Sequence, residues 1–278
     1  MNRADLTADE QTAMLADRYT QRAEAYDALW SPIIRPAGER LIARLPLSTA
    51  SRSILDVATG SGALLPAIQQ AAPSAVVVGV DLSPGMLRLA TRRHAGPLGL
   101  MDVQRLGLVS SRFEVAVVAF VLFHLPFPEQ CLAEVNRVLQ AGGAVGTITW
   151  GSEASPPAYA VWDEELQAAG AQVLNLPAVE NRTCCDSAQK ITMLLEQAGF
   201  VSITAWSESI EYQWRPDDYF DYQVRSSSRL RLLSLGATER EACLRRVGER
   251  LSDVGDDGYV YRGEVFMATA FKGSRTDS

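Results

Sequence analysis

Short runs of β-branched residues, each handing over to a stretch with helical spacing, constrain this chain more than any other feature. SILDVA at 53–58, VVVGVD at 76–81 and FEVAVVAF at 113–120 have the length of buried strands and are too short for core helices. They are followed by ALLPAIQQAA, PGMLRLATRRHA and PEQCLAEVNRVLQ, whose apolar residues recur at helical intervals. A strand buried on both faces, with a helix to carry the chain back, is the unit of a parallel sheet. GAVGTITW at 143–150 and VSITAW from 201 continue the set, and GEVFMATAFK closes it as a last strand. The expected fold is α/β, with a Rossmann-like doubly wound sheet.

Helical segments surround and interrupt this alternation. Residues 8–29 have helical spacing, Ser31-Pro32 and Pro36 break it, and a second helix is expected from about Ala37 to Leu45. These helices form a segment 1–45 ahead of a core 46–278. The alternation breaks after Trp150, at GSEASPPAYA, and again in the polar helical stretch from Tyr212 to Gly258, so cap insertions are expected at about 151–185 and 211–258. Between them a helix from about Ser187 to Ala198 ends at Gly199.

Charge and cysteine usage narrow the function classes. Lys and Arg number 26 against 33 Asp and Glu, a net charge of −7, which offers nucleic acid or an anionic membrane no broad attraction. Cys131, Cys184, Cys185 and Cys243 form neither a CxxC pair nor a disulfide framework, which suits a reducing compartment. The polar N-terminus lacks the pattern of a secretory signal, and no apolar stretch approaches 18 residues, so a cytoplasmic, unanchored protein is expected.

The chemistry concentrates in ILDVATGSG, residues 54–62, where a strand ends in Asp56 and turns through Gly60 and Gly62 into a helix. The next strand ends 25 residues later in Asp81, a position from which an acid can hydrogen-bond ribose hydroxyls. Ser83 and Pro84 then supply an N-cap and an N1 proline, which puts Asp81 on the ligand edge of the sheet. A nicotinamide site shares a glycine-rich turn and a later acid, but its third glycine falls on Leu65 here. Asp56 has no role in pyrophosphate binding and suits a cationic ligand.

With DVATGSG, Asp81, MDVQRL at 101–106 and FVLFHLPFPEQCLAEVNRVLQAGG, the chain resembles the class I S-adenosylmethionine-dependent methyltransferases. The likeness is to their small-molecule branch, which includes the ubiquinone and menaquinone biosynthesis enzymes. It implies a seven-stranded sheet, mostly parallel with an antiparallel last strand, covered by an N-terminal helical lid. It also implies that Asp56, Ala58, Gly60 and Gly62 line the methionine part of S-adenosylmethionine, and Asp81 and Leu82 the ribose. Met86, Asp102 and Val103 would meet the adenine, with Ala119 and Phe120 near the sulfonium. Ala58 departs from the family, which usually has glycine there.

Methyl transfer from a sulfonium is an in-line displacement that needs no metal, so positioning dominates. A hydroxyl nucleophile also calls for a base, and the chain offers two histidines. His94 ends a helix, where the dipole favours it. His124, just past a strand end that faces the cofactor, is the candidate base, with packing or a loop hydrogen bond as the alternative. Tyr19 and Tyr26, seven residues apart on one helix face, either touch cofactor and substrate or pack in the core. Trp162, Trp214, Tyr212, Tyr219, Phe220 and Tyr222 suit a lid over an apolar or aromatic substrate, or ordinary lid packing. Arg225, Arg229 and Arg231 read as a solvated helix face rather than an anion site, and Cys184-Cys185 makes too few ligands for a metal.

The expected activity is therefore methylation of a small, specialised metabolite, at oxygen in preference to nitrogen or carbon, releasing S-adenosylhomocysteine. Three rivals remain: a non-methylating rearrangement that uses the sulfonium only electrostatically, a nicotinamide oxidoreductase, and a non-catalytic binding protein.

Overall fold

A computed structural model describes residues 6–172 and 181–273; positions 173–180 of the first expected insertion, like both chain ends, lie outside the described residues. The strands are β1 (Ser53–Val57), β2 (Val76–Asp81), β3 (Leu98–Leu100), β4 (Phe113–Ala119), β5 (Leu139–Ala154), β6 (Phe200–Gln213) and β7 (Val260–Lys272). They form one sheet in the order β3-β2-β1-β4-β5-β7-β6. β1 to β5 pair in parallel, and β7 runs antiparallel to both β5 and β6. This is the seven-stranded, doubly wound sheet with an antiparallel last strand that the sequence resemblance implies. The central strand β1 is buried along its whole length, as its continuous apolar run requires.

The chain enters through α1 (Ala8–Leu29) and α2 (Ser31–Ile42). Thr7 opens α1 with a capping box: its Oγ1 accepts from the Glu10 N–H, and the Glu10 carboxylate accepts from the Thr7 N–H at 2.8 Å. α2 begins at Ser31 rather than Ala37, because Pro32 stands in the first turn, where it has no helical N–H bond to lose. Pro36, further in, forfeits one bond without ending the helix. Next come α3 (Leu65–Ala71), α4 (Pro84–Ala90), α5 (Pro128–Val138), α6 (Ala158–Ala168) and α7 (Ala188–Gln197). α8 (Pro216–Tyr222), α9 (Arg229–Leu233) and α10 (Ala237–Leu251) precede the last strand, with a π-helical turn at Gln223–Ser227 between α8 and α9.

Two strands outrun their expected ends. β5 continues past Trp150, through an irregularity, to pair Glu153 with Gly263, and β6 runs to Gln213 opposite Val260. The helices of the two insertions accordingly start at Ala158 and Pro216. The three-residue β3 leaves no periodic signal in the sequence and forms by adding Leu98–Leu100 to the edge of β2.

This topology places the functional edge. Strand order reverses between β1 and β4, and a crevice opens beyond their carboxyl ends. α1 covers that crevice by crossing α4 at Gly85, where an added Cβ would stand 2.7 Å from Thr20 Cα and its carbonyl oxygen. Arg93 pins α1 by donating to both Asp27 carboxylate oxygens, at 2.7 and 2.8 Å, and to the Ser61 carbonyl at 2.9 Å. Among the described residues no helix is long and apolar enough to cross a membrane.

Candidate functional site

The crevice is lined by Tyr19, Tyr26, Asp56, Ala58, Gly60, Asp81, Leu82, Met86, Asp102, Val103, Ala119, Phe120 and His124. Of the residues expected from sequence only Gly62 stays outside. Its φ of +77° requires glycine, and a Cβ there would press on Leu65 and on the Ala90 backbone at 3.0–3.1 Å. Gly62 thus lets the first turn pack against α4 and does not face the cleft. Gly60, at φ +57°, has no atom within 4 Å of where a Cβ would stand, and its N–H points at Asp81.

The three acids are held differently. Asp56 is buried and accepts a 2.6 Å bond from the Thr59 hydroxyl; burial nonetheless pushes its carboxyl up to about 7, with the nearby Asp81 adding to the rise. Asp81, also buried, accepts from the Gly60 and Ser83 N–H groups at 2.8 Å each. Burial raises its pKa, and those backbone donors offset part of the rise. Both oxygens are fixed in direction and keep lone pairs for a further donor. Asp102 follows β3 and accepts from the Gln104 backbone at 2.9 Å, an Asx turn that sets its orientation.

Two residues carry backbone strain at this edge. Ala58 has φ +57°, the left-handed region that costs an L-residue about 1–2 kcal/mol, which accounts for the glycine usual at this position in the resembled family. Phe120 also sits at φ +57°, beyond the end of β4, and its ring leans on Trp150 with centroids 5.0 Å apart.

Tyr19, Tyr26, Phe120 and His124 line a second cavity as well, so they form the partition between two chambers. Tyr19 Oη and His124 Nε2 are hydrogen-bonded at 2.8 Å, the tyrosine rings meet edge to face at 5.5 Å, and burial pushes the Tyr26 hydroxyl well up. His124 sits in a short 3-10 turn (Leu122–His124) after β4 and is buried. His94 instead bonds the Val77 carbonyl at 2.8 Å, away from both chambers.

The second chamber is aromatic. Tyr222 stacks between Trp30 (5.6 Å, 15°) and Trp214 (5.0 Å, 28°), with Trp150 and Tyr261 beside them. Arg182 pairs with Glu153 and lies over the Phe123 and Trp150 rings. Of the lid aromatics singled out in the sequence, Trp214, Tyr219 and Tyr222 face this space, whereas Trp162 is fully buried against Phe220. Arg225 pairs with Asp221 on a solvated face, whereas Arg231, paired with Asp163, is only 19% exposed and departs from the expected solvated face. Sequence reasoning missed Trp30, Trp150, Tyr261, Glu153, Arg182 and Arg22, which come from four separate parts of the chain. For Arg22 a signal existed: it lies three residues after Tyr19 and four before Tyr26, on the same helix face.

The sheet order, the antiparallel last strand and the acids at the ends of β1 and β2 define a Rossmann-like methyltransferase. Comparison with known proteins agrees. The methyltransferase-domain family matches residues 55–146. The demethylmenaquinone methyltransferase of Thermus thermophilus is 38% identical over 105 residues, covering 36% of this chain and 47% of that protein. The ubiquinone/menaquinone biosynthesis C-methyltransferase UbiE of Ralstonia pickettii is 30% identical over 164 residues, covering 54% and 68%. Among solved structures the (4+2)-cyclase SpnF shares the fold, with a TM-score of 0.62 at 14% identity over 96% of this chain and 97% of its own. The chain belongs to the class I S-adenosylmethionine-dependent methyltransferases of the UbiE type. It spans between about half and two-thirds of the length of the curated relatives it matches.

Proposed function

We propose that this chain methylates a hydroxyl oxygen of a small aromatic metabolite, with S-adenosylmethionine as donor. The observation that carries the reading is the partition: a hydrogen-bonded Tyr19–His124 pair borders both a cleft edged with acids and an aromatic chamber. The cleft residues fit the donor. Asp56 is a buried carboxylate without a cationic partner among the described residues, suited to the positive methionine end. Asp81 presents fixed oxygens to a ribose diol, and Asp102 faces the cleft beside Val103 and Met86, which supply an apolar slot for a flat base.

When bound, S-adenosylmethionine supplies an electrophilic methyl group, and its displacement leaves neutral S-adenosylhomocysteine. The protein's own task is the proton. An acceptor hydroxyl seated against Tyr19 passes its proton to the tyrosine oxygen as the tyrosine proton moves to His124 Nε2, which leaves a nucleophilic oxygen at the partition. Tyr26 and Phe120 close the remaining gap and keep water from the line of transfer.

Carbon methylation is a second reading, favoured by the C-methyltransferase relative. It uses the same deprotonation, because an aromatic oxyanion is also nucleophilic at the adjacent ring carbon. A purely electrostatic use of the sulfonium has as its support the fold shared with a cyclase. Incubation with S-adenosylmethionine and a panel of naphthols, hydroquinones and hydroxyanthraquinones separates the three. An O-methyl proton signal with stoichiometric S-adenosylhomocysteine supports the proposal, a C-methyl signal favours the second reading, and conversion without S-adenosylhomocysteine overturns methyl transfer.

A further inference from the structure

We propose that Arg22 is the anion-binding residue of the aromatic chamber, and that the acceptor is a planar aromatic molecule carrying a carboxylate. The inference rests on the chamber being the acceptor side of a methyltransferase.

Arg22 is half-buried on α1 and lines the chamber together with Tyr19 and Tyr26. Among the described residues its hydrogen-bond partner is Ser226, whose hydroxyl accepts from Nη2, and no carboxylate pairs with it. Three other arginines around this lid differ. Arg182 is neutralised by Glu153, Arg225 by Asp221 and Arg231 by Asp163. Burial pulls its pKa below the usual arginine value; the like charges of Arg18 and Arg229 add to the fall, and the Tyr222 and Tyr19 hydroxyls oppose it. A guanidinium withdrawn from water without a counterion is costly, and one that gains a carboxylate recovers that cost through two parallel N–H···O bonds.

The surroundings fix what carries the anion. Trp30, Trp150, Trp214, Tyr222 and Tyr261 line the chamber, and walls of this aromatic character suit a flat ring. Ser226 reaches Arg22 because the chain widens into a π-turn at Gln223–Ser227. Gln223 locks that turn, donating to Tyr219 Oη at 3.0 Å and accepting from the Ser228 hydroxyl at 2.8 Å. Such turns recur at functional sites. Arg22 stands one turn beyond Tyr19 on α1 and both line the chamber, so a single molecule seated there meets both side chains.

The test measures binding of 6-hydroxy-2-naphthoate and of its methyl ester to the full chain by tryptophan fluorescence, with S-adenosylhomocysteine titrated separately. The acid is expected to bind at least about ten-fold more tightly than the ester, as a charge-assisted pair implies. Arg22→Met is expected to erase that preference and Arg22→Lys to keep part of it, while both variants hold S-adenosylhomocysteine within about two-fold of the wild type, which shows that they are folded. Equal binding of acid and ester, no binding of either, or an acid preference that survives Arg22→Met overturns the proposal. Failure of the wild type to bind S-adenosylhomocysteine, with the acid preference intact, overturns the methyltransferase reading and leaves the anion site standing.

Discussion

Asp56 shows how one buried side chain sets a pH dependence. Its carboxyl titrates near 7 in the folded chain, because burial disfavours the charge, against an ordinary carboxylate value when unfolded. The native state therefore holds a proton that the unfolded state has lost, so this group's contribution to stability falls as pH rises from about 4 to about 7 and is level above that. A cationic ligand reverses the preference, since it selects the ionised form. The affinity for S-adenosylhomocysteine, which keeps the methionine ammonium group, should rise by up to about ten-fold between pH 6 and pH 8 and be nearly flat in Asp56→Asn. Calorimetric titration at the two pH values checks this, and an equal slope in the variant contradicts it. At the partition, Tyr19→Phe and His124→Asn each remove one arm of the proton path, and kcat should drop about 100-fold or more with little change in S-adenosylmethionine affinity. Ala58→Gly relieves a left-handed alanine, offset by the greater freedom of unfolded glycine, and a net gain of about 0.5–1 kcal/mol should appear as a higher thermal midpoint.

At the scale of elements, α1 does the most. It supplies Tyr19, Arg22 and Tyr26, and it is fastened to the sheet at Gly85, where no side chain fits, and at the Asp27–Arg93 pair. Gly85→Val places new carbon against the Thr20 backbone, an overpacking worth about 1–3 kcal/mol. The expected result is a displaced α1, faster amide hydrogen exchange across 8–29 and S-adenosylhomocysteine binding weakened about ten-fold or more. Unchanged exchange in that helix would show that it is held by other contacts. Parts of the sheet were harder to place from sequence than α1. The helical spacing over 8–29 and the break at Ser31-Pro32 mark α1, whereas β3 offers three residues, and β5 and β6 outrun their apolar patterns because pairing with β7 continues through polar positions such as Glu153 and Glu211.

At the scale of the whole molecule, the acids of the cleft were legible in the sequence because each one ends or follows a strand of the parallel sheet, and strand ends fall where the topology opens a crevice. Gly62 shows the limit of that reading, since a motif glycine can serve the ligand or the packing behind it, and only the position of Ala90 decides. The second chamber was mostly illegible. Trp30, Trp150, Arg182 and Tyr261 meet through the closure of a lid on a sheet edge, a tertiary event with no local period. The central claim, an S-adenosylmethionine site beneath α1 at the ends of β1 and β2, is tested most directly by calorimetric titration of S-adenosylhomocysteine into the wild type and Asp81→Ala. Micromolar binding in the wild type, weakened about 100-fold in the variant by the loss of two charge-assisted hydrogen bonds, is the predicted result; no binding to the wild type, or equal binding to both proteins, contradicts it.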